Sequence, residues 1–155
     1  MQERARYRKG FLVRKSNLAR VFTIVGAAAL ATVLGTTSAT AARGNWLIAE
    51  TIGVYGSTMV TYGSKTHLSE IDIRVVDTAS DGHHVRTRII TKRSNGSLAY
   101  WAWRANYGGL PTEKEWTTFL TDSQGIIQVQ SQACVAEGST LIRCAYSPWK
   151  TNPYA

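Results

Sequence analysis

Of 155 residues only two are cysteine, three histidine and three proline, and each scarcity closes off a class of protein. Two cysteines cannot make a multi-disulfide lattice or a four-thiolate zinc site. The histidines are His67, His83 and His84. His67 stands alone in a polar stretch, and His83 and His84 are neighbours that on one strand would point to opposite faces, so no pair is set to chelate a metal. No His-Glu-x-x-His, Cys-x-x-Cys or Gly-x-Ser-x-Gly occurs, which leaves metal-assisted hydrolysis and a nucleophile elbow without their residues. Glu113 and Glu115 are spaced to share a strand face, but carboxylates cluster on surfaces by default and these read as a solvated rim. The sequence therefore predicts no catalytic residue, no metal, no cofactor and no enzymatic turnover. Sustained helical periodicity is also missing.

What is present begins with a basic stretch, Arg4, Arg6, Arg8, Lys9, Arg14, Lys15 and Arg20, set against the single acid Glu3. Residues 21–34 are then apolar, and Ala39-Thr40-Ala41 puts small residues at the positions a signal peptidase reads. A membrane span needs about 20 apolar residues, more than this run supplies. The pattern predicts a cleaved leader over 1–41, a secreted, extracellular product and no stable membrane insertion after cleavage. Arg14-Lys15 is a poor twin-arginine motif, which favours export of the unfolded chain. The leader carries seven of the 18 Lys and Arg and one of the ten acids, leaving 11 bases and nine acids, a net charge of +2 in place of +8. Most of the basic charge thus belongs to the leader, and no nucleic-acid partner is expected.

Residues 42–155 read as a single all-β domain. Ile71, Ile73 and Val75 alternate with Asp72, Arg74 and Val76, and Val85, Thr87 and Ile89 with Arg86, Arg88 and Ile90, the period of half-buried strands. Asn95-Gly96 marks a hairpin with a type I′ turn. Strands are predicted at 46–51, 57–62, 71–76, 85–90, 98–106, 116–121, 126–135 and 141–146. About eight short strands with turns at this spacing describe a small antiparallel β-sandwich or barrel, of which the sandwich is the expectation. The tail from Ser147 holds Pro148 and Pro153 and cannot be a central strand. Cys134 and Cys144 fall opposite one another in a hairpin around Gly138-Ser139, and in an exported chain they are expected to form a disulfide. Trp101 and Trp103 share a face of the predicted 98–106 strand. Core packing is the expected use of that face, and an exposed ring platform for a sugar or a partner protein is the alternative.

Near the start of the predicted mature chain stand Gly44-Asn45-Trp46, Gly53-Val54-Tyr55-Gly56-Ser57 and Tyr62-Gly63-Ser64-Lys65-Thr66-His67. This series resembles the lactococcin 972 family of secreted bacteriocins. There a Gly-x-Trp is followed at similar spacing by Gly-Val and an aromatic-rich Gly-Ser-Lys-Thr-His stretch, and the Trp101-Ala102-Trp103 segment is similar to the family's later tryptophan segment. The resemblance covers 44–106 and implies an exported antiparallel β-sandwich that acts without turnover at the bacterial envelope, through the cell-wall precursor lipid II. The chain departs from the pattern over 107–155, where it adds strands and the disulfide hairpin.

The first functional expectation is accordingly a secreted, non-enzymatic binding protein in bacterial antagonism, similar to a lactococcin 972-type bacteriocin. A second reading uses the added strands as another face, making the chain a small adaptor subunit that binds a co-secreted toxin protein, as in the actinobacterial umbrella-shaped toxin particles. A third is a secreted proteinase inhibitor with 108–112 as bait loop. Tyr62, Ser64, Lys65, Thr66 and His67 are the expected recognition loop. Lys65 brings positive charge, Ser64 and Thr66 hydroxyl donors, and His67 a donor that charges near pH 6.5, a set suited to a pyrophosphate or an acidic protein rim.

Overall fold

The computed structural model describes the backbone of Ala42–Arg43 and residues 46–155; the predicted leader over 1–41, with its expected cleavage site, and Gly44-Asn45 lie outside the described residues. Alternating apolar side chains and frequent turns make these residues entirely β, in two antiparallel sheets. Sheet A holds β1 (Ala42–Arg43), β2 (Leu47–Thr51), β3 (Val54–Tyr62), β4 (His67–Asp77) and β8 (Glu113–Thr121). Sheet B holds β5 (His84–Arg93), β6 (Leu98–Tyr100), β7 (Arg104–Asn106), β9 (Ile126–Glu137), β10 (Thr140–Tyr146) and β11 (Lys150–Thr151). In sheet A the order is β1 and β2 on β3, then β4, then β8; in sheet B it is β10 and β11 on β9, then β5, then β6 and β7.

The period of two decides which side chains meet between the sheets. Ile71, Ile73 and Val75 of β4 are buried while Asp72, Arg74 and Val76 are half-exposed. With Leu47, Val60, Tyr62 and Leu68 they pack against Ile89, Ile126 and Val129 of sheet B. A second cluster joins Ala49, Val54 and Val75 to Val85, Ala133 and Val135. Each such fully buried aliphatic side chain contributes about 1.5–3 kcal/mol. Polar groups inside the layer are matched: Thr58 Oγ1 lies 3.2 Å from Ser131 Oγ, and Thr87 Oγ1 donates to the Gln132 carbonyl at 2.9 Å. Gly56 marks a close approach of the sheets, since a Cβ there would stand 2.7 Å from the Ala133 Cβ.

Two expectations change. The Asn95-Gly96 hairpin is closed by Gly96 N–H donating to the Arg93 carbonyl, which puts Ser94-Asn95 at the centre of the turn and Gly96 (φ 85°) after it. This is a turn followed by a left-handed glycine, not the two-residue I′ form. The tail, as expected, is no central strand: it supplies β11 as a short edge strand on β9, between Pro148 and Pro153, whose nitrogens have no hydrogen to donate.

The second change bears on function: 98–106 is two strands, not one. On β5, Ile90 pairs with Tyr100 and Thr87 with Arg104, so four steps along one chain oppose three along the other. One residue too many sits at 101–103, and an odd insertion flips every following side chain to the other face. Trp101 therefore turns inward against the core cluster, its backbone N–H donating to the Ile89 carbonyl at 3.0 Å and its indole N–H to Thr91 Oγ1 at 3.0 Å. Trp103 turns outward, so the two tryptophans do not share a face.

The expected disulfide is present. Cys134 and Cys144 are direct cross-strand partners in the β9–β10 hairpin, with their Cα atoms 4.1 Å apart. Cross-linking so short a loop contributes about 3 kcal/mol in the chain-entropy view.

Candidate functional site

The outer face of sheet B carries a row of side chains that the register sets across three strands and the 101–103 segment. Tyr146 of β10 pairs with Gln132 of β9, and Gln132 with Arg88 of β5; Trp103, turned outward by the extra residue, completes the row. Gln132 Nε2 donates to the Tyr146 hydroxyl at 2.9 Å, and Arg88 Nε donates to Gln132 Oε1 at 2.7 Å. The Arg88 guanidinium lies 4.5 Å from the Tyr100 ring centroid and 4.3 Å from that of Trp103, and Arg86 lies 5.3 Å from Trp103 on the same face. Each cation–ring contact contributes about 0.5–1 kcal/mol at an exposed site. Stacked rings hold a guanidinium's plane without consuming its N–H donors, which a carboxylate partner would do.

Most of those donors remain available, although Arg86 Nε is buried without a partner. Arg86 donates once, to the Gly138 carbonyl at 3.1 Å. The terminal nitrogens of Arg88 and the indole N–H of Trp103 have no hydrogen-bond partner among the described residues, and neither arginine is ion-paired. The paired outward positions of sheet B hold His84, Arg86, Arg88, Ile90 and Lys92 on β5 and Gln128, Gln130, Gln132, Cys134 and Ala136 on β9, with no carboxylate among them. Burial lowers the Arg88 guanidinium below its ordinary value, and a guanidinium remains charged at neutral pH. Tyr100 and Tyr146 are 56% and 55% exposed, so the rings bracketing the cations face solvent. The Cys134–Cys144 bond lies one row away, since Cys134 pairs with Arg86, and clamps the strands beneath. The arrangement is a rigid, flat cationic and aromatic platform: forked donors for an anionic group, ring faces for an adjoining sugar or apolar group.

The expected recognition loop is placed differently. Tyr62 is buried in the core, and that burial raises its hydroxyl value above 10.0. Gly63 N–H and Ser64 N–H both donate to the His67 carbonyl, Ser64 Oγ accepts from Thr66 N–H at 3.2 Å, and Asn152 Nδ2 donates to the Ser64 carbonyl at 3.0 Å. The Lys65 and Thr66 carbonyls accept from Ile126 and Asp122 N–H groups. His67 Nδ1 lies 3.1 Å from Thr121 Oγ1, its ring 6.2 Å from Phe119. The loop is thus tied to the 122–126 turn and the tail, and Lys65 is its exposed cation. Of the predicted residues the structure groups Ser64, Lys65, Thr66 and His67 in one turn and sets Trp101 and Trp103 apart from it and from each other. The platform residues Arg86, Arg88, Tyr100, Gln132 and Tyr146 went unselected; the signal was the Arg-x-Arg alternation on β5.

At one end of sheet B a cleft of about 580 Å³ opens between residues 82–84, 107–109 and 137–138. His84 stacks on Tyr107 with centroids 4.5 Å apart, and His83 Nδ1 lies 3.0 Å from Glu137 Oε2. His83 precedes β5 instead of lying in it, so both imidazoles line one cleft, contrary to the opposite-face expectation. Burial first, then the charge of Arg86, pushes His84 below 6.5, and its Nε2 is buried without a partner. No set of three His, Cys, Asp or Glu among the described residues is placed to hold a metal. Glu113 and Glu115 flank Arg74, which bonds Glu113 and lies 3.7 Å from Glu115, and that bond holds the Glu113 carboxyl below its ordinary value. The 108–112 segment is folded back on Asn106, whose Nδ2 donates to the Thr112 carbonyl and whose Oδ1 accepts from Gly108 N–H. No family model, curated protein or solved structure matches the chain.

Proposed function

We propose that the chain is a secreted, non-catalytic recognition protein of bacterial antagonism that holds an anionic envelope target against the outer face of sheet B, with the cell-wall precursor lipid II as first target. The observation that carries this reading is the pair Arg86 and Arg88, held against aromatic rings with no carboxylate on their face. A carboxylate-free pair of guanidiniums offers parallel N–H donors to phosphate oxygens, and a pyrophosphate takes two such forks. Trp103, Tyr100 and Tyr146 lie where a sugar attached to that group can rest its C–H face. The leader, the disulfide staple and the Gly-Ser-Lys-Thr-His resemblance support action outside the cytoplasm, and Lys65 is a second, separate cation for the same class of ligand.

The adaptor reading draws on one observation of its own. Trp46, Ile48 and Phe119 are 51%, 45% and 68% exposed; Ile48 and Phe119 belong to sheet A and Trp46 immediately precedes its β2, so a co-secreted toxin protein has a second face to engage. The compact 108–112 turn supports the inhibitor reading least.

The test is affinity for vesicles with and without lipid II, for wild type, Arg88→Gln and Lys65→Ala. Arg88→Gln should keep the melting temperature within a few degrees and weaken lipid II binding at least tenfold, since a charge-assisted fork is worth about 1.5–3 kcal/mol. Equal wild-type binding to both vesicle types removes lipid II as the target. A loss confined to Lys65→Ala moves the site to the β3–β4 turn.

A further inference from the structure

The outer face of sheet A is the electrostatic inverse of the platform. The register sets Glu50, Tyr55, Val76 and Glu113 in one row across β2, β3, β4 and β8, and Ile48, Ser57, Arg74 and Glu115 in the next. Glu70, paired with Thr61, lies further along the same face. Among the described side chains Arg74 is the one basic group in these rows, and it is already engaged by Glu113 and Glu115. Glu50 and Glu70 are exposed and form no ion pair among the described residues. A cleft of about 240 Å³ on this face sets the Trp46 ring beside Glu115, an aromatic wall and a carboxylate together, which is what a cationic side chain seeks.

We infer that copies of this protein stack head to tail, the outer face of sheet B of one on the outer face of sheet A of the next. Charge sets the direction: two platforms face to face would oppose Arg86, Arg88 and Lys92 to themselves, and two acidic faces would oppose Glu50, Glu70 and Glu115, whereas the mixed contact sets cations on carboxylates. Spacing permits it, because both faces are antiparallel sheets with side chains about 6.8 Å apart along a strand and about 4.8 Å across. The contact would also cover the exposed Tyr100 and Tyr146 of one copy and the exposed Trp46 and Ile48 of the other.

Such a contact is heterologous, so it can extend beyond two copies. Its size sets its strength: a patch of four strands by four outward residues covers on the order of 400 Å², about half of the roughly 800 Å² that each partner gives a stable complex. Association is therefore weak, salt-sensitive and lost on dilution. Because it covers the Arg86–Arg88 pair, stacking and capture of an anionic target exclude one another. Concentrated protein keeps the platform covered, and dilution exposes it. The stacking itself does not depend on what the target is.

The test is sedimentation velocity on the protein with its disulfide intact, in buffers from about 20 mM to about 500 mM salt, a range that shortens the Debye length from tens of ångströms to a few. The weight-average mass should rise with concentration at low salt and return to the monomer value at high salt. Two charge-reversed variants, R86E/R88E and E50K/E70K, should each be monomeric alone and should associate when mixed in equal amounts. K92E, at a half-buried position near the end of β5, supplies a milder version should R86E/R88E fail to fold. A wild type that stays monomeric at millimolar concentration and low salt overturns the inference. So does self-association of either folded variant at wild-type strength, or a mixture of folded variants that stays monomeric. E50K/E70K should bind the target as wild type does, so loss of stacking and loss of target binding are separate results.

Discussion

Replacing Trp101 and Trp103 by alanine, one at a time, tests the one-residue offset that sends them to opposite faces. Trp101 packs against the core cluster of Ile71, Ile73, Ile89 and Leu120, and its indole N–H satisfies the hydroxyl of Thr91, which is 0% exposed. Trp101→Ala removes most of a large ring, for which core tryptophans cost about 3–5 kcal/mol, and leaves a buried hydroxyl short of a partner at about 1 kcal/mol more. Because the ring is only half-buried, the total should be about 3–4 kcal/mol. Trp103→Ala loses its contacts with Arg86 and Arg88, about 0.5–1 kcal/mol each, for a total of about 1–2 kcal/mol. Against a domain stability of about 5–15 kcal/mol the first change brings the protein near unfolding and the second does not. Urea unfolding followed by far-ultraviolet circular dichroism reads both, with the slope checked for constancy. Equal losses for the two variants, or a larger loss for Trp103→Ala, would mean that both rings share the core and would refute the offset.

Three further outcomes are expected. Reduction of Cys134–Cys144 should lower stability by about 3 kcal/mol without abolishing the fold, measured as the shift in urea midpoint with and without reductant. Gly56→Ala forces a Cβ to 2.7 Å from the Ala133 Cβ; overpacking of this kind costs about 1–3 kcal/mol, and Gly56→Ala/Ala133→Gly should recover part of it. Burial and Arg86 depress His84, so the unfolded chain takes up its proton first. Its contribution to stability is complete above about pH 6.5 and is lost as pH falls through the lower folded value. In melting curves between pH 4 and 8, the wild type should therefore lose stability relative to His84→Phe as the solution is acidified, and parallel curves would show that His84 is not the group responsible.

Where a residue's role depended on its own strand, the sequence disclosed it. Ile71, Ile73 and Val75 face the core as alternation requires, and the Cys134–Cys144 bond follows from a short hairpin with one cysteine on each arm. What depended on a neighbouring strand stayed hidden. The extra residue at 101–103 leaves no mark on the sequence, because an insertion exists only relative to the strand it pairs with, here β5. The platform was obscured for the same reason. Arg86 and Arg88 read as an ordinary solvated face until Gln132, Tyr146, Tyr100 and Trp103 are brought beside them from β9, β10, β6 and the 101–103 insertion. The 62–67 loop is also set by its neighbours. Its polar composition suggested exposed recognition, but much of its hydrogen-bonding capacity goes to the 122–126 turn and to Asn152.

The central claim is that the outer face of sheet B receives the target, and the five indole N–H groups of Trp46, Trp101, Trp103, Trp116 and Trp149 report on it from separate places in the fold. In nitrogen-15 spectra of the protein, kept dilute enough that copies do not stack and titrated with lipid II in micelles, the Trp103 indole signal and the Arg88 Nε–H signal should move together and saturate together, while the indole signals of Trp46 and Trp116 hold still. Movement of the Trp46 signal with Trp103 unchanged, shifts confined to the amides of 63–67, or no saturable shift at Trp103 would contradict the claim.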